Sequence, residues 1–230
     1  MFNAAIGKFC FAVLSTTLFV FDVPAQTLEI RQYSGGLIRV EADAGLDLLI
    51  RPNDSVDVPG ELNATQTLVL GDEFDRRFVR WTGEPLTSPP ESNGKATIDG
   101  LLIESVLIGE KRAGIQIQTQ GLKVLVASLD LLSDQGYIPM RQNENIHLLV
   151  LTVGDSKKLD TARTNLWLSG LEIQQIALNS TSDLPVQIMD KFYKSLQRNR
   201  TLPTAVLPMI EVPNKNLRFG DRQVVLLKQL

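Results

Sequence analysis

Short apolar runs separated by glycine-containing turns place the strongest constraint on how this chain folds. Three such runs span Leu28–Tyr33, Leu37–Ala42 and Leu46–Ile50, with Gly35-Gly36 and Asp43-Ala44-Gly45 between them. Runs of this length joined by tight turns are typical of antiparallel β-strands in a meander. The sequence therefore predicts a twisted antiparallel sheet at this end of the domain.

The strand pattern continues along the chain before convincing helices appear. Further strands are predicted at Thr67–Leu70, Thr97–Leu107, Gly114–Gln120, Leu122–Leu129, Asn145–Val153 and Val224–Leu230. Apolar residues at helical spacing predict helices at Asp160–Ser169 and, after a Ser182-Asp183 cap, at Pro185–Asn199. The proline- and glycine-rich stretch Gly83–Gly94 is interpreted as a loop and not as a domain boundary. Strands first and helices later favour an α/β domain in which sheets pack on each other beneath helices.

The first 25 residues have the three parts of a secretory signal. Lys8 is the lone charge before the apolar run Phe9–Phe21, and Val23-Pro24-Ala25 supplies small residues for cleavage. The run is too short for a comfortable membrane span, and Asp22 disfavours the alternative of a retained anchor. We therefore predict a signal peptide at 1–25, a single domain at 26–230, no membrane span after cleavage, and a periplasmic or secreted location.

Composition narrows the class of protein without revealing its function. The 23 basic and 26 acidic residues give a net charge of -3, which excludes a strongly basic nucleic-acid binder. A hydrophobic content of 43% excludes a disordered chain. The only cysteine, Cys10, would leave with the signal peptide, so we expect the core to stabilise the domain without a disulfide.

Four segments carry a resemblance to a known fold. Leu48–Pro52 is an apolar strand ending in proline, Thr67–Leu70 leads into the polar stretch Gly71–Arg76, and Gly121–Asp130 and Ile176–Asn179 are apolar strands that each end in a polar residue. In this order the segments resemble the metallo-beta-lactamase fold, in particular its compact bacterial branch of metal-dependent hydrolases. The resemblance covers nearly all of residues 26–230 and implies an αββα sandwich, that is, two β-sheets flanked by helices.

The resemblance also assigns positions that correspond to a metal site. The stretch Gly71–Arg76 stands where the family has its H-x-H-x-D-H loop, and of that signature only Asp75 is retained. Asp130 matches the bridging aspartate, whereas Asn179 stands in place of the last metal histidine. The former metal-site positions implied by the resemblance are Gly71, Glu73, Asp75, Arg76, Asp130 and Asn179. We expect Asp75 and Asp130 to lie at the same edge of the sandwich.

The count of possible ligands argues against zinc chemistry. A hydrolytic zinc site needs about three protein ligands and an open water position, and in this family most ligands are imidazoles. The chain has one histidine, His147, which lies inside a predicted strand away from every ligand position. We interpret it as a half-buried histidine hydrogen-bonded within the sheet. The sequence thus predicts no metal and no cofactor.

Three hypotheses of function remain open. In the first, an exported protein has lost its hydrolytic metal site and binds a small molecule or an envelope protein without catalysis. In the second, Asp72, Glu73, Asp75 and Asp130 hold magnesium, calcium or manganese in a carboxylate-rich hydrolase site, although the permanent charge of Arg76 opposes this. In the third, the chain is an unrelated exported domain.

Overall fold

A computed structural model describes part of the chain. The described residues are 27–42, 45, 47–52, 56–59, 62, 66–70, 95–98, 101–108, 111–119, 121–130, 144–154, 160–180, 191–192, 194–196 and 204–228. The predicted signal peptide and the predicted loop Gly83–Gly94 lie outside them, so both stay predictions.

Two β-sheets form the framework. The strands are, in chain order, β1 Leu28–Tyr33, β2 Leu37–Ala42, β3 Asp47–Arg51, β4 Gln66–Val69, β5 Lys95–Ile98, β6 Leu101–Ile108, β7 Lys111–Thr119, β8 Leu122–Ser128, β9 Glu144–Val153, β10 Leu171–Ser180, β11 Ala205–Leu207, β12 Ile210–Val212 and β13 Gln223–Leu227. One sheet has five strands in the order β12-β1-β2-β3-β4, and the other has eight in the order β11-β13-β10-β9-β8-β7-β6-β5.

The antiparallel meander predicted at Leu28–Ile50 is confirmed. Strands β1, β2 and β3 pair in sequence with antiparallel register, while β4 adds to β3 in parallel and β12 adds to β1 from far along the chain. Arg39 fixes the register of β2 and β3 by donating to both carboxylate oxygens of Asp47, at 2.8 and 2.9 Å. This bidentate pairing holds the pKa of Arg39 above its ordinary value.

The eight-stranded sheet changes from antiparallel to parallel along its width. Strands β5 to β8 form antiparallel hairpins, whereas β8, β9, β10, β13 and β11 run parallel. The single strand predicted at Thr97–Leu107 is wrong, because β5 and β6 are separate and pair as a hairpin with Ile98 opposite Leu101. The intervening Asp99-Gly100 has the sequence that two-residue hairpins favour.

The core lies between the two sheets. Alternate residues of strands in both sheets point into the space between them, and the fully buried members include Leu28, Ile30, Ile38, Val40, Leu48, Ile50, Val124, Val126, Leu148 and Val150. In the central strand β9, every residue from Leu148 to Val153 is buried. Continuous burial is expected of a parallel strand that is covered on both faces, and it requires a second apolar layer outside the sheet.

Helical residues supply that second layer. The helix α1, Thr161–Ser169, begins at Asp160, whose side chain accepts a hydrogen bond from the Arg163 N–H at 2.9 Å. Leu168 of α1, together with Phe192 and Leu196 from the helical residues 191–192 and 194–196, joins an apolar cluster on the outer face of the eight-stranded sheet. The prediction of a helix at Asp160–Ser169 is confirmed. Among the described helices, none is long and apolar enough to span a membrane.

A ten-residue connection, Pro213–Arg222, links the two sheets. It leaves β12 in the five-stranded sheet and enters β13 in the eight-stranded sheet, and we call it the crossover segment. The Gly220 and Arg222 N–H groups both donate to the Ile173 carbonyl at 3.1 Å. The buried Arg222 guanidinium also donates to the Leu168 carbonyl at the end of α1, where a positive charge stabilises the helix dipole.

Candidate functional site

The carboxyl ends of β8, β9 and β10 meet at one edge of the eight-stranded sheet. These strands are parallel, and their register places Ser128, Thr152 and Asn179 side by side. In open α/β sheets, ligands bind in the crevice beyond the carboxyl ends of the strands. Asp130 follows β8 by two residues, so this edge holds both described residues that the sequence assigned to the former metal site.

Hydrogen bonds to the backbone hold Asp130 in place. Leu129 and Asp130 are helical, and the Asp130 Oδ2 atom accepts a hydrogen bond from the Gly154 N–H at 2.9 Å. Gly154 directly follows β9, so this hydrogen bond joins the residues just beyond β8 to the end of β9. The Thr152 hydroxyl adds a second tie by donating to the Ala127 carbonyl at 3.2 Å. The carboxylate therefore has a fixed orientation at the edge of the sheet.

Asn179 connects the two sheets. Its side chain is fully buried, and its Nδ2 donates to the Gly36 carbonyl at 2.7 Å. Because a carbonyl oxygen can only accept, the amide nitrogen and not the oxygen must face Gly36. The Oδ1 atom is buried and has no hydrogen-bond partner in the part of the chain that the structure describes.

This arrangement does not fit the role of the imidazole ligand that the fold family implies. The lone pair of a neutral amide nitrogen is delocalised into its carbonyl group and is not available to a metal ion, and here the NH2 group already donates to the Gly36 carbonyl. At this position the structure therefore provides a hydrogen bond between sheets in place of a nitrogen ligand.

The Gly36 carbonyl reaches Asn179 because of the turn between β1 and β2. Residues Ser34–Gly36 form a single 3-10 turn in which Gly35 has φ +71° and Gly36 has φ +76°. A Cβ at Gly35 would lie 2.9 Å from Val56 Cγ1, closer than packed carbon atoms tolerate. Glycine is thus required by both the backbone angle and the space at Gly35.

His147 lies away from this edge, within β9. Its Nδ1 accepts a hydrogen bond from the Lys123 N–H at 3.2 Å. Its ring packs edge-on against the Phe219 ring, with the two ring centroids 4.8 Å apart. Burial lowers the pKa of His147 below its ordinary value of 6.5. The prediction of a half-buried histidine hydrogen-bonded within the sheet is confirmed. Thr152 lies five residues further along β9, which places the imidazole about 16 Å from the carboxyl edge.

Four of the former metal-site positions implied by the resemblance lie outside the described residues. Gly71, Glu73, Asp75 and Arg76 fall outside the described residues. The shared edge of Asp75 and Asp130 therefore stays a prediction, as does the carboxylate-rich alternative. Among the residues that the structure describes, no group of three or more His, Cys, Asp or Glu side chains is arranged to hold a metal ion.

Two partners of the site residues were missed by sequence reasoning. The Gly35-Gly36 pair was interpreted as a turn, but nothing local indicates that its carbonyl meets a side chain 143 positions later. The Gly154 N–H that holds Asp130 was also missed, because this hydrogen bond depends on how β8 and β9 pair in the sheet.

The sandwich of two sheets with helices packed outside, and with polar residues at the carboxyl ends of the parallel strands, defines a metallo-beta-lactamase-like fold. A candidate Zn-dependent hydrolase of the metallo-beta-lactamase superfamily from Thermotoga maritima has a similar solved structure, with a TM-score of 0.54 and 15% sequence identity. The match covers 88% of this chain and 100% of that chain. The fold predicted from the resemblance is confirmed.

Two further solved structures are similar over most of their length. A metallo hydrolase from the archaeon Ignicoccus hospitalis matches at 15% identity and a TM-score of 0.43, covering 74% of this chain and 91% of that one. A candidate metal-dependent hydrolase from Parabacteroides distasonis matches at 9% identity and a TM-score of 0.48, covering 88% and 94%. No protein-family model matches the sequence, and no curated protein matches it.

Proposed function

We propose that this chain is an exported protein of metallo-beta-lactamase-like fold that has lost the hydrolytic metal site. It acts as a non-catalytic binding or structural module of the cell envelope, with a small molecule or an envelope protein as its partner. The observation that carries this proposal is the use of Asn179. The residue that the resemblance assigns to the position of the last metal histidine joins the two sheets through its amide nitrogen.

The small number of side chains that could bind zinc supports the loss of the metal site. The chain contains one histidine, and it is bonded to Lys123 about 16 Å along the strand from the carboxyl edge. At the positions that the resemblance assigns, only Glu73, Asp75 and Asp130 have carboxylate side chains, and Asn179 offers a neutral amide oxygen but no nitrogen donor. Three carboxylates lack the neutral nitrogen donors that zinc hydrolases use to activate water.

Arg76 weakens a metal site further if the positional match holds. Two unit charges about 4 Å apart repel by about 4 kcal/mol at an effective dielectric constant near 20. Arginine cannot relieve this repulsion by losing its proton. An ion pair between Arg76 and Asp75 or Asp130 is therefore favoured over a divalent cation.

Export is supported by the first 25 residues of the sequence alone.

The solved structures with a similar fold are described as hydrolases. One fold hosts many functions, so the function of this chain must be argued from the residues of its own site. The second candidate function is a hydrolase with a carboxylate-rich site that holds magnesium, calcium or manganese. The fixed carboxylate of Asp130 at the carboxyl edge is the observation that favours it.

Metal content separates the two candidates. We expect the purified protein to hold no stoichiometric zinc, magnesium, calcium or manganese by elemental analysis, both as isolated and after incubation with each ion and desalting. Assays on esters, lactams and phosphodiesters should show no metal-stimulated hydrolysis. Asp130→Asn serves as the matched variant and should leave the metal content unchanged. A bound ion that disappears in Asp130→Asn would support the carboxylate-rich hydrolase and overturn the proposal.

Export is tested by the mass of the native protein. We expect the soluble envelope fraction to contain a chain that begins at Gln26. A full-length chain fixed in the membrane fraction would contradict the cleavage.

A further inference from the structure

The crossover segment packs near the beginning of β10, at the end of the eight-stranded sheet opposite Asp130 and Asn179. Its backbone is attached to β10, because Gly220 and Arg222 donate to the Ile173 carbonyl and the Gln174 side chain donates to the Leu217 carbonyl at 3.2 Å. Its contact with β9 is made by a side chain. The Phe219 ring, which is 37% exposed, packs edge-on against the His147 ring.

The hydrogen bond from Lys123 requires a neutral His147. A neutral imidazole offers one ring nitrogen as an acceptor, whereas the protonated ring carries hydrogen on both nitrogens. Protonation at Nδ1 would therefore place two N–H groups against each other, since the Lys123 N–H points at this atom. The ring must then turn or move away, and Phe219 loses the surface on which it packs.

Among the described residues, the elements packed against His147 do not compensate the added charge. Across from His147, β8 contributes Lys123 and β10 contributes the neutral Gln174. The ionisable side chains on the packed elements β8, β10 and the crossover segment are Lys123, Glu172, Lys215, Arg218, Asp221 and Arg222. Basic groups outnumber acidic ones in this set, and half-burial of the ring disfavours its charged form.

We propose that His147 is an acid-sensitive latch for the crossover segment. The neutral imidazole fixes Phe219 and so adds to the hydrogen bonds that hold the segment Pro213–Arg222 on β10, and protonation removes this contribution, so that the segment is released more often. The released state binds the proton more tightly than the closed state, whose histidine pKa is lowered. The latch is therefore fully closed above about pH 6.5 and loses stability as the pH falls below that value.

Hydrogen exchange followed by mass spectrometry tests the latch on the purified protein. Protection factors for peptides that cover 213–222 should fall between about pH 7.5 and about pH 5, by up to about tenfold per pH unit for one proton. Peptides from Leu148–Val153 should keep their protection. In His147→Gln, whose side chain does not titrate, protection of the segment should not change with pH. An equal fall in His147→Gln would overturn the proposal.

Two further measurements keep the test decisive if His147→Gln folds poorly. In Phe219→Ala, the segment should be less protected at both pH values, and its remaining pH dependence should be smaller than in the unmodified protein. Nitrogen NMR of the unmodified protein should show His147 protonated on Nε2 and unprotonated on Nδ1 at neutral pH, with titration below 6.5. A His147 pKa above 6.5, or a proton on Nδ1 at neutral pH, would refute the latch.

Discussion

Replacing Asn179 with alanine removes a buried hydrogen bond that joins the two sheets. The side chain is fully buried, and the Nδ2 to Gly36 oxygen distance is 2.7 Å. The substitution leaves the buried Gly36 carbonyl without this donor, which costs about 1–3 kcal/mol of unfolding free energy. For a domain of about 200 residues, each kcal/mol shifts Tm by about 2–4 °C, so a loss of about 2 kcal/mol lowers Tm by about 4–8 °C.

Asn179→Asp should be more damaging than Asn179→Ala. It replaces the donor with a carboxylate that faces the Gly36 oxygen, and it introduces a charge at a fully buried position. The assay is urea and thermal unfolding followed by circular dichroism. Asn145→Ala, at an exposed position in β9, is the matched control and should stay within about 0.5 kcal/mol of the unmodified protein. An Asn179→Ala variant as stable as this control would refute the structural role.

Other substitutions test the packing, the turn and the helix cap. Leu148→Ala, in the fully buried core, should lower the unfolding free energy by about 2–5 kcal/mol in urea titrations. Gly35→Ala should destabilise the protein by about 1 kcal/mol or more, because Gly35 has a positive φ and an added Cβ would lie too close to Val56. Gly170 has a negative φ and open space around it, so Gly170→Ala should change stability by less than about 1 kcal/mol. Equal effects of the two glycine substitutions would contradict this account. Asp160→Ala should cost about 1 kcal/mol by removing the cap of α1, which differential scanning calorimetry would detect as a Tm lower by about 2–4 °C.

The parts of the fold that follow from local chemistry were predicted from the sequence. Strands β1 and β2 have the predicted ends because the Gly35-Gly36 turn separates them. The helix α1 begins where Asp160 caps it. Strand β10 was only partly predicted, because Gln174 and Gln175 interrupt its apolar pattern although both are buried.

Elements set by distant partners were missed. Strands β11 and β12 have three residues each, too few to show a period, and they exist because β13 and β1 offer them a pairing edge. The site residues also divide into features set by the local sequence and features set by distant partners. The place of Asp130 after an apolar strand was predicted, whereas the bond from Asn179 to Gly36 depends on the packing of two sheets. Likewise, the contact of His147 with Phe219 depends on the path of the crossover segment.

The pairing of β1 with β12 determines when the five-stranded sheet can be completed. Leu28 lies opposite Val212, so nearly the whole chain separates two residues that are neighbours in the sheet. Pairing of this kind raises the contact order, and domains with high contact order fold slowly. During synthesis, the meander β1 to β3 emerges early but waits for its last strand until β12 has been made. We therefore expect ribosome-bound chains that lack β12 and β13 to stay sensitive to protease, and protection of the five-stranded sheet to appear only after both strands have left the ribosome.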